Sequence, residues 1–169
     1  MTGWAALLRA VNVGGNNKLP MAELKTLCEG LGLESVQTYI ASGNVVFASE
    51  REEADLRTAI EGAIAARYGK RIGVLVRSAS ELARVTADNP FADCPGNRVV
   101  ALFTDEPPSI EGLRHQREER LAAGVREIFV HYGNGMADSR LVIPAAANGT
   151  ARNMNTVAKL AQLAALREA

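Results

Sequence analysis

The chain has 169 residues and a mass of 18.0 kDa, with 19 Lys plus Arg against 19 Asp plus Glu and so no formal net charge. That balance excludes a broad basic field of the kind that holds nucleic acid or an anionic membrane through average charge. An apolar content of 47% excludes a disordered composition, and with only 5% aromatics the core must be built from aliphatic residues and alanine.

Trp4 to Val13 is apolar except for Arg9 and Asn12 and reads as a buried strand running into the turn Gly14-Gly15-Asn16-Asn17. Pro20 then opens a helix with Met21, Leu24, Leu27, Cys28 and Leu31 on one face, which Gly32 stops. Val36 to Ile40 and Asn44 to Ala48 form two strands joined around Ser42-Gly43. Glu52 to Tyr68 carries Leu56, Ala59, Ile60, Ala63 and Ile64 at helical spacing, with Gly69 just beyond, and Arg71 to Arg77 is a further strand. The order β-α-β-β-α-β is that of the split βαβ unit.

A short helix from Ser80 to Ala87, capped by Ser78 or Ser80, leads into the loop through Asn89-Pro90-Phe91 and Pro95-Gly96. The pattern then restarts, with a strand at Arg98 to Thr104, a helix at Ser109 to Ala123, and a strand at Arg126 to His131. Met136 to Ile143 pairs back across Gly133-Asn134-Gly135, and Asn155 to Arg167 is the last helix. The expected fold is α+β with two ferredoxin-like halves of duplicated topology, the second incomplete by one strand. Residues 1–77 form the first half, 78–96 a linker helix and loop, and 97–169 the second half with its C-terminal helix.

Cys28 and Cys94 are far apart and form no CxxC pair, and His115 and His131 lack cysteine company, so no metal or cofactor is expected. Met1 to Val13 lacks a basic leader and is broken by Arg9, and the longest uncharged stretch is studded with polar residues. A soluble cytoplasmic protein is the expectation, with no membrane partner.

Three polar sets could carry ligand chemistry. Arg9 and Asn12 precede the turn Gly14, Gly15, Asn16, Asn17 and Lys18, which leads to a helix start where Leu19 is a poor cap. Exposed amides, a helix dipole and adjacent cations together suit a phosphate or carboxylate, although the glycine spacing fits neither a Walker loop nor a dinucleotide fingerprint. Arg9 would either pair with a carboxylate across the sheet or receive an anion in a cleft. Ser42 and Asn44 flank the first hairpin, where turn chemistry accounts for them and no base is placed to activate Ser42. Arg152 and Asn153 precede the last helix, where one Asn can cap and Arg152 would add a cation. The charged run Arg114 to Arg120 reads as a solvated helix face, and no catalytic dyad is evident.

Three stretches, LLRAVNVGGNNKLPMAELKTL, TYIASGNVVF and TARNMNTVAKLAQL, occur in order along the chain. Together they resemble a bacterial family known as domain of unknown function 1697. The resemblance implies a duplicated ferredoxin-like fold, a cytoplasmic location and no established activity. The recurrent polar positions of that family fall here on Arg9, Asn12, Gly14, Gly15, Asn16, Lys18, Ser42, Gly43, Asn44, Arg152 and Asn153. Two departures stand out: Met154 occupies a position where the family usually carries tryptophan, and the segment before Thr150 is shorter than usual.

The reading that follows is a pocket for a small anionic, phosphate-bearing ligand near the first strand-helix turn. The alternative is an interaction protein that self-associates through the apolar helix Val157 to Leu166, the chain being a monomer or a homodimer through that helix. Nucleic-acid binding ranks below both, because stacked aromatics and basic charge are missing.

Overall fold

A computed structural model describes residues 1–9, 18–40, 43–133 and 138–168. The expectations placed on Asn12, Gly14, Gly15, Asn16 and Ser42, and on the Asn134-Gly135 turn, lie outside these residues. The chain forms two compact units, one of Met1–Leu82 with Leu160–Ala169 and the other of Ala83–Lys159.

In the first unit, β1 (Thr2–Leu8), α1 (Met21–Gly30), β2 (Glu34–Thr38), β3 (Asn44–Ser49), α2 (Glu53–Tyr68) and β4 (Val74–Ser78) follow the expected order. The strands form an antiparallel sheet in the order β2-β3-β1-β4. Every second residue of β1 (Trp4, Ala6 and Leu8) joins Val45, Phe47, Val74 and Val76 in one core. The helices meet that core with residues four apart, Leu24 and Cys28 from α1 and Leu56, Ile60 and Ile64 from α2. The intervening residues Ala5, Leu7, Val46 and Leu75 are buried as well, which explains why β1 reads as an unbroken apolar run rather than an alternating one. Gly69 ends α2 in the left-handed conformation, φ 69°, with its N–H on the Ala65 carbonyl at 2.8 Å.

In the second unit, α3 (Ala79–Asp88) is followed by β5 (Val99–Phe103), β6 (Arg120–Ala123), β7 (Glu127–His131), β8 (Thr150–Asn153) and α4 (Met154–Ala165). The first residues of α3 and the last of α4 are assigned to the first unit. Ser78 is the cap of α3: its hydroxyl accepts the Glu81 amide at 3.2 Å, and Glu81 Oε1 accepts the Ser78 amide at 3.2 Å. The sheet order β6-β7-β5-β8 places four strands as β2-β3-β1-β4 does, so the fold is α+β with two ferredoxin-like halves.

Three expectations for this half are corrected. Ser109 to Ala123 is not a helix: Pro107 and Pro108 precede it, Gly112 and His115 have φ of 75° and 61°, and Arg114 to Arg120 offers no apolar face to bury. Its end is β6, which pairs with β7 across the turn Val125-Arg126, so the hairpin partner of β7 precedes it in the chain. The described part of Met136 to Ile143 forms a single bridge, Val142 with Arg114, rather than a strand. The half is also not a strand short, because Thr150–Asn153, expected only as a helix lead-in, pairs with β5 as β8.

Leu141, Ile143 and Ala145 close over Val100, Leu102, Ile128 and Val130, covering a sheet face without a crossover helix. Glu119 fastens this cover. Its carboxylate accepts the Arg117 amide at 2.6 Å and the Ser139 hydroxyl at 2.7 Å, and these bonds, the backbone one first, hold it below its ordinary value of 4.5. A depressed carboxyl contributes stability that is complete above 4.5 and is lost as pH falls through the lower folded value. The Tm gap between wild type and Glu119→Gln should therefore be open near neutral pH and close below pH 4.5. A gap independent of pH would contradict this.

Candidate functional site

The antiparallel register gathers one end of the first sheet. β1 ends there at Leu8 and Arg9, β3 begins there at Asn44, and β4 begins there just after Gly73. Leu8 donates its N–H to the Gly43 carbonyl and Arg9 donates to the Gly73 carbonyl, both at 2.9 Å. Because α1 follows β1 and α2 precedes β4, the start of α1 and the end of α2 reach the same place.

Arg9 is half-buried, with its side chain laid over Gly73. A Cβ at residue 73 would come 2.9 Å from Arg9 Cδ and 3.6 Å from Nη1, so the missing side chain is what lets the arginine lie there. Asn44 is fully buried; its amide Nδ2 donates to the Tyr39 carbonyl at 3.0 Å and its own carbonyl accepts the Tyr39 N–H at 2.9 Å. That is a structural duty, clamping the hairpin. Ile40 beyond it takes φ 54°, an uncommon conformation for a β-branched residue.

Lys18 lies beside a pocket of about 200 Å³ lined by Lys18, Leu19, Tyr68, Lys70 and Ile72. Leu19 and Ile72 are buried and form an apolar floor, while both lysines are exposed at the rim. The Tyr68 hydroxyl donates to Glu23 Oε2, and the Arg67 guanidinium sits 4.9 Å over the Tyr68 ring and 3.3 Å from Glu23 Oε1. Burial, with the Glu23 carboxylate, pushes the Tyr68 hydroxyl above its ordinary range, so it remains a donor at neutral pH. Pro20, expected as the first helical residue after a Leu19 cap, is itself the N-cap of α1, and it makes no side-chain hydrogen bond to the helix amides.

Arg9, Lys18 and Asn44 are thus brought to one end of one sheet. Arg152 and Asn153 belong to the second unit, at the end of β8. Arg152 is buried, donates to Thr150 Oγ1 at 2.6 Å and to the Ala151 carbonyl at 2.9 Å, and is pushed down to about 10 by burial. Asn153 caps α4, its Oδ1 accepting the Thr156 amide at 2.9 Å. Tyr68, Lys70 and Ile72 were not singled out from the sequence. The available signal was topological: residues just past a Gly-capped second helix return to the end where the first helix starts. Among the described residues no group of three or more His, Cys, Asp or Glu is placed to hold a metal ion, and no helix is long and apolar enough to cross a membrane.

A family model described as protein of unknown function (DUF1697) matches residues 1–129. The chain belongs to this family. The DUF1697 chain is also similar to the solved structure of a conserved bacterial protein from Streptococcus pneumoniae. The two are 28% identical with a TM-score of 0.77, and the match covers 96% of this chain and 98% of that one. No curated protein matches the DUF1697 chain.

Proposed function

We propose that the end of the first sheet receives a small phosphate-bearing anion. The observation that carries this reading is the pocket itself: two lysines at the rim of a space of about 200 Å³ over an apolar floor, beside a helix start without a side-chain cap. Phosphate oxygens would meet the two ammonium groups and the α1 amides, while the carbon part of the ligand would lie on Leu19 and Ile72. Arg9 is a third cation for the same ligand, at the same sheet end. The small volume favours a phosphomonoester over a larger cofactor. Two free cysteines support a reducing, cytoplasmic setting, and the common strand order supports a topological duplication.

The test is a thermal-shift series with inorganic phosphate, sugar phosphates and nucleotides on wild type, Lys18→Glu and Lys70→Glu. A ligand at ten times its Kd stabilises the protein by about 1.4 kcal/mol. For a chain of this length that is a Tm rise of roughly 3–6 °C. Both charge reversals should abolish the rise. An equal rise in all three proteins, or none with any compound at millimolar concentration, would overturn the proposal.

A further inference from the structure

A second cluster of reactive side chains lies in the second unit and plays no part in that pocket. Arg120 on β6 and His131 on β7 are cross-strand partners in the sheet register. Arg120 Nη2 is 3.5 Å from His131 Nδ1 and 3.6 Å from the Sγ of Cys94, in the loop before β5. The guanidinium lies over the Phe91 ring, 5.1 Å from its centroid, and that ring packs at 5.9 Å against the His131 ring. An aromatic platform and an imidazole therefore hold one guanidinium N–H against a half-exposed thiol. The Cys94 thiol itself donates to Asp93 Oδ1, 3.7 Å away.

We propose that Cys94 is a reversible S-thiolation site for small disulfides that carry carboxylates, with Arg120 as the anion-receiving group. The Cys94 thiolate, its proton released to solvent, attacks one sulfur of the disulfide RS–SR. The Sγ–S bond forms as the S–S bond breaks, and RS⁻ departs with the electron pair and takes up a proton from water. Arg120 draws a carboxylate of the incoming disulfide toward the sulfur. Once Sγ is bonded and neutral, the same guanidinium is available to a carboxylate of the attached group. A second, independent thiol exchange reverses the step. Cys28 does not compete, because it is fully buried in the first unit's core and its thiol is pushed up to about 12, chiefly by burial.

The experiment compares two probes on the full, reduced chain: the dianionic aromatic disulfide dithiobis(nitrobenzoate) and the uncharged dithiodipyridine. Wild type should release one equivalent of chromophore under native conditions, and Cys94→Ser none. Arg120→Gln should slow the dianionic probe about fivefold, the worth of one charge some 4 Å away in water, and leave the uncharged probe within about twofold. Arg120→Lys should restore most of the rate with the dianionic probe. Equal slowing of both probes, no slowing of either, or release that persists in Cys94→Ser would overturn the assignment.

Discussion

Arg84→Ala is expected to destabilise the protein by about 3 kcal/mol, the lower end of what breaking a buried ion pair costs. Glu127 on β7 is fully buried, and its two carboxylate oxygens accept Arg84 Nη1 at 3.1 Å and Nη2 at 3.2 Å. The only other described donor to it is the Arg126 amide, at 2.9 Å. Without Arg84, the carboxylate keeps one hydrogen bond in a place that water reaches poorly. The lower end of the range applies because the Arg84 side chain is 33% exposed, which leaves a path for solvent. The Asp88 contact of Arg84, at 3.0 Å, is largely exposed and adds little. A Tm fall of roughly 6–12 °C should result. Replacing both partners, as in Arg84→Met with Glu127→Met, should recover most of it, since no buried charge is then stranded. A single variant with wild-type Tm would show that the pair is not buried in solution.

Gly3→Ala is the second large effect, expected at about 1–3 kcal/mol as an overpacking. An added Cβ would overlap the Ala164 carbonyl oxygen and sit 2.8 Å from its carbon. Those are backbone atoms, so no rotamer change relieves the clash; the end of α4 must lift from β1. Lifting it also strains the bond from the Gly3 N–H to Glu168 Oε2, at 3.2 Å, and those from Arg167 Nε to the Ser35 carbonyl, at 2.7 Å, and from Nη2 to Gln37 Oε1, at 3.0 Å. Trypsin should then cut after Arg167 faster in the variant than in wild type, alongside a lower Tm. Unchanged cleavage and Tm would mean that this close approach does not exist in solution.

The first half was legible because its signals agree. Strand residues alternate or run apolar, Leu56, Ile60 and Ile64 repeat every four, and Gly32 and Gly69 sit where the helices stop. The second half misled where local preference and tertiary pairing conflict. Arg120–Ala123, with Leu and two Ala, favours a helix taken alone, yet pairs with β7 as a strand. Thr150–Asn153 is polar enough to pass for a loop; only burial of Thr150 and Arg152 identifies it as β8. At the candidate site, Arg9 and Lys18 stand out as cations beside a glycine-rich turn. Lys70 does not, because its relevance depends on α2 returning to the same sheet end.

The placing of Ala164, Arg167 and Glu168 against β1 and β2 has a consequence for biogenesis. A ribosome releases Met1–Leu82 long before it releases residues 160–169, yet the first unit is complete only with both. The half made first is therefore finished last: until the whole of Ala83–Lys159 has been made, the ground beside Gly3 stays uncovered. Closure then spans more than 150 residues of sequence, a contact of the long-range kind that slows folding.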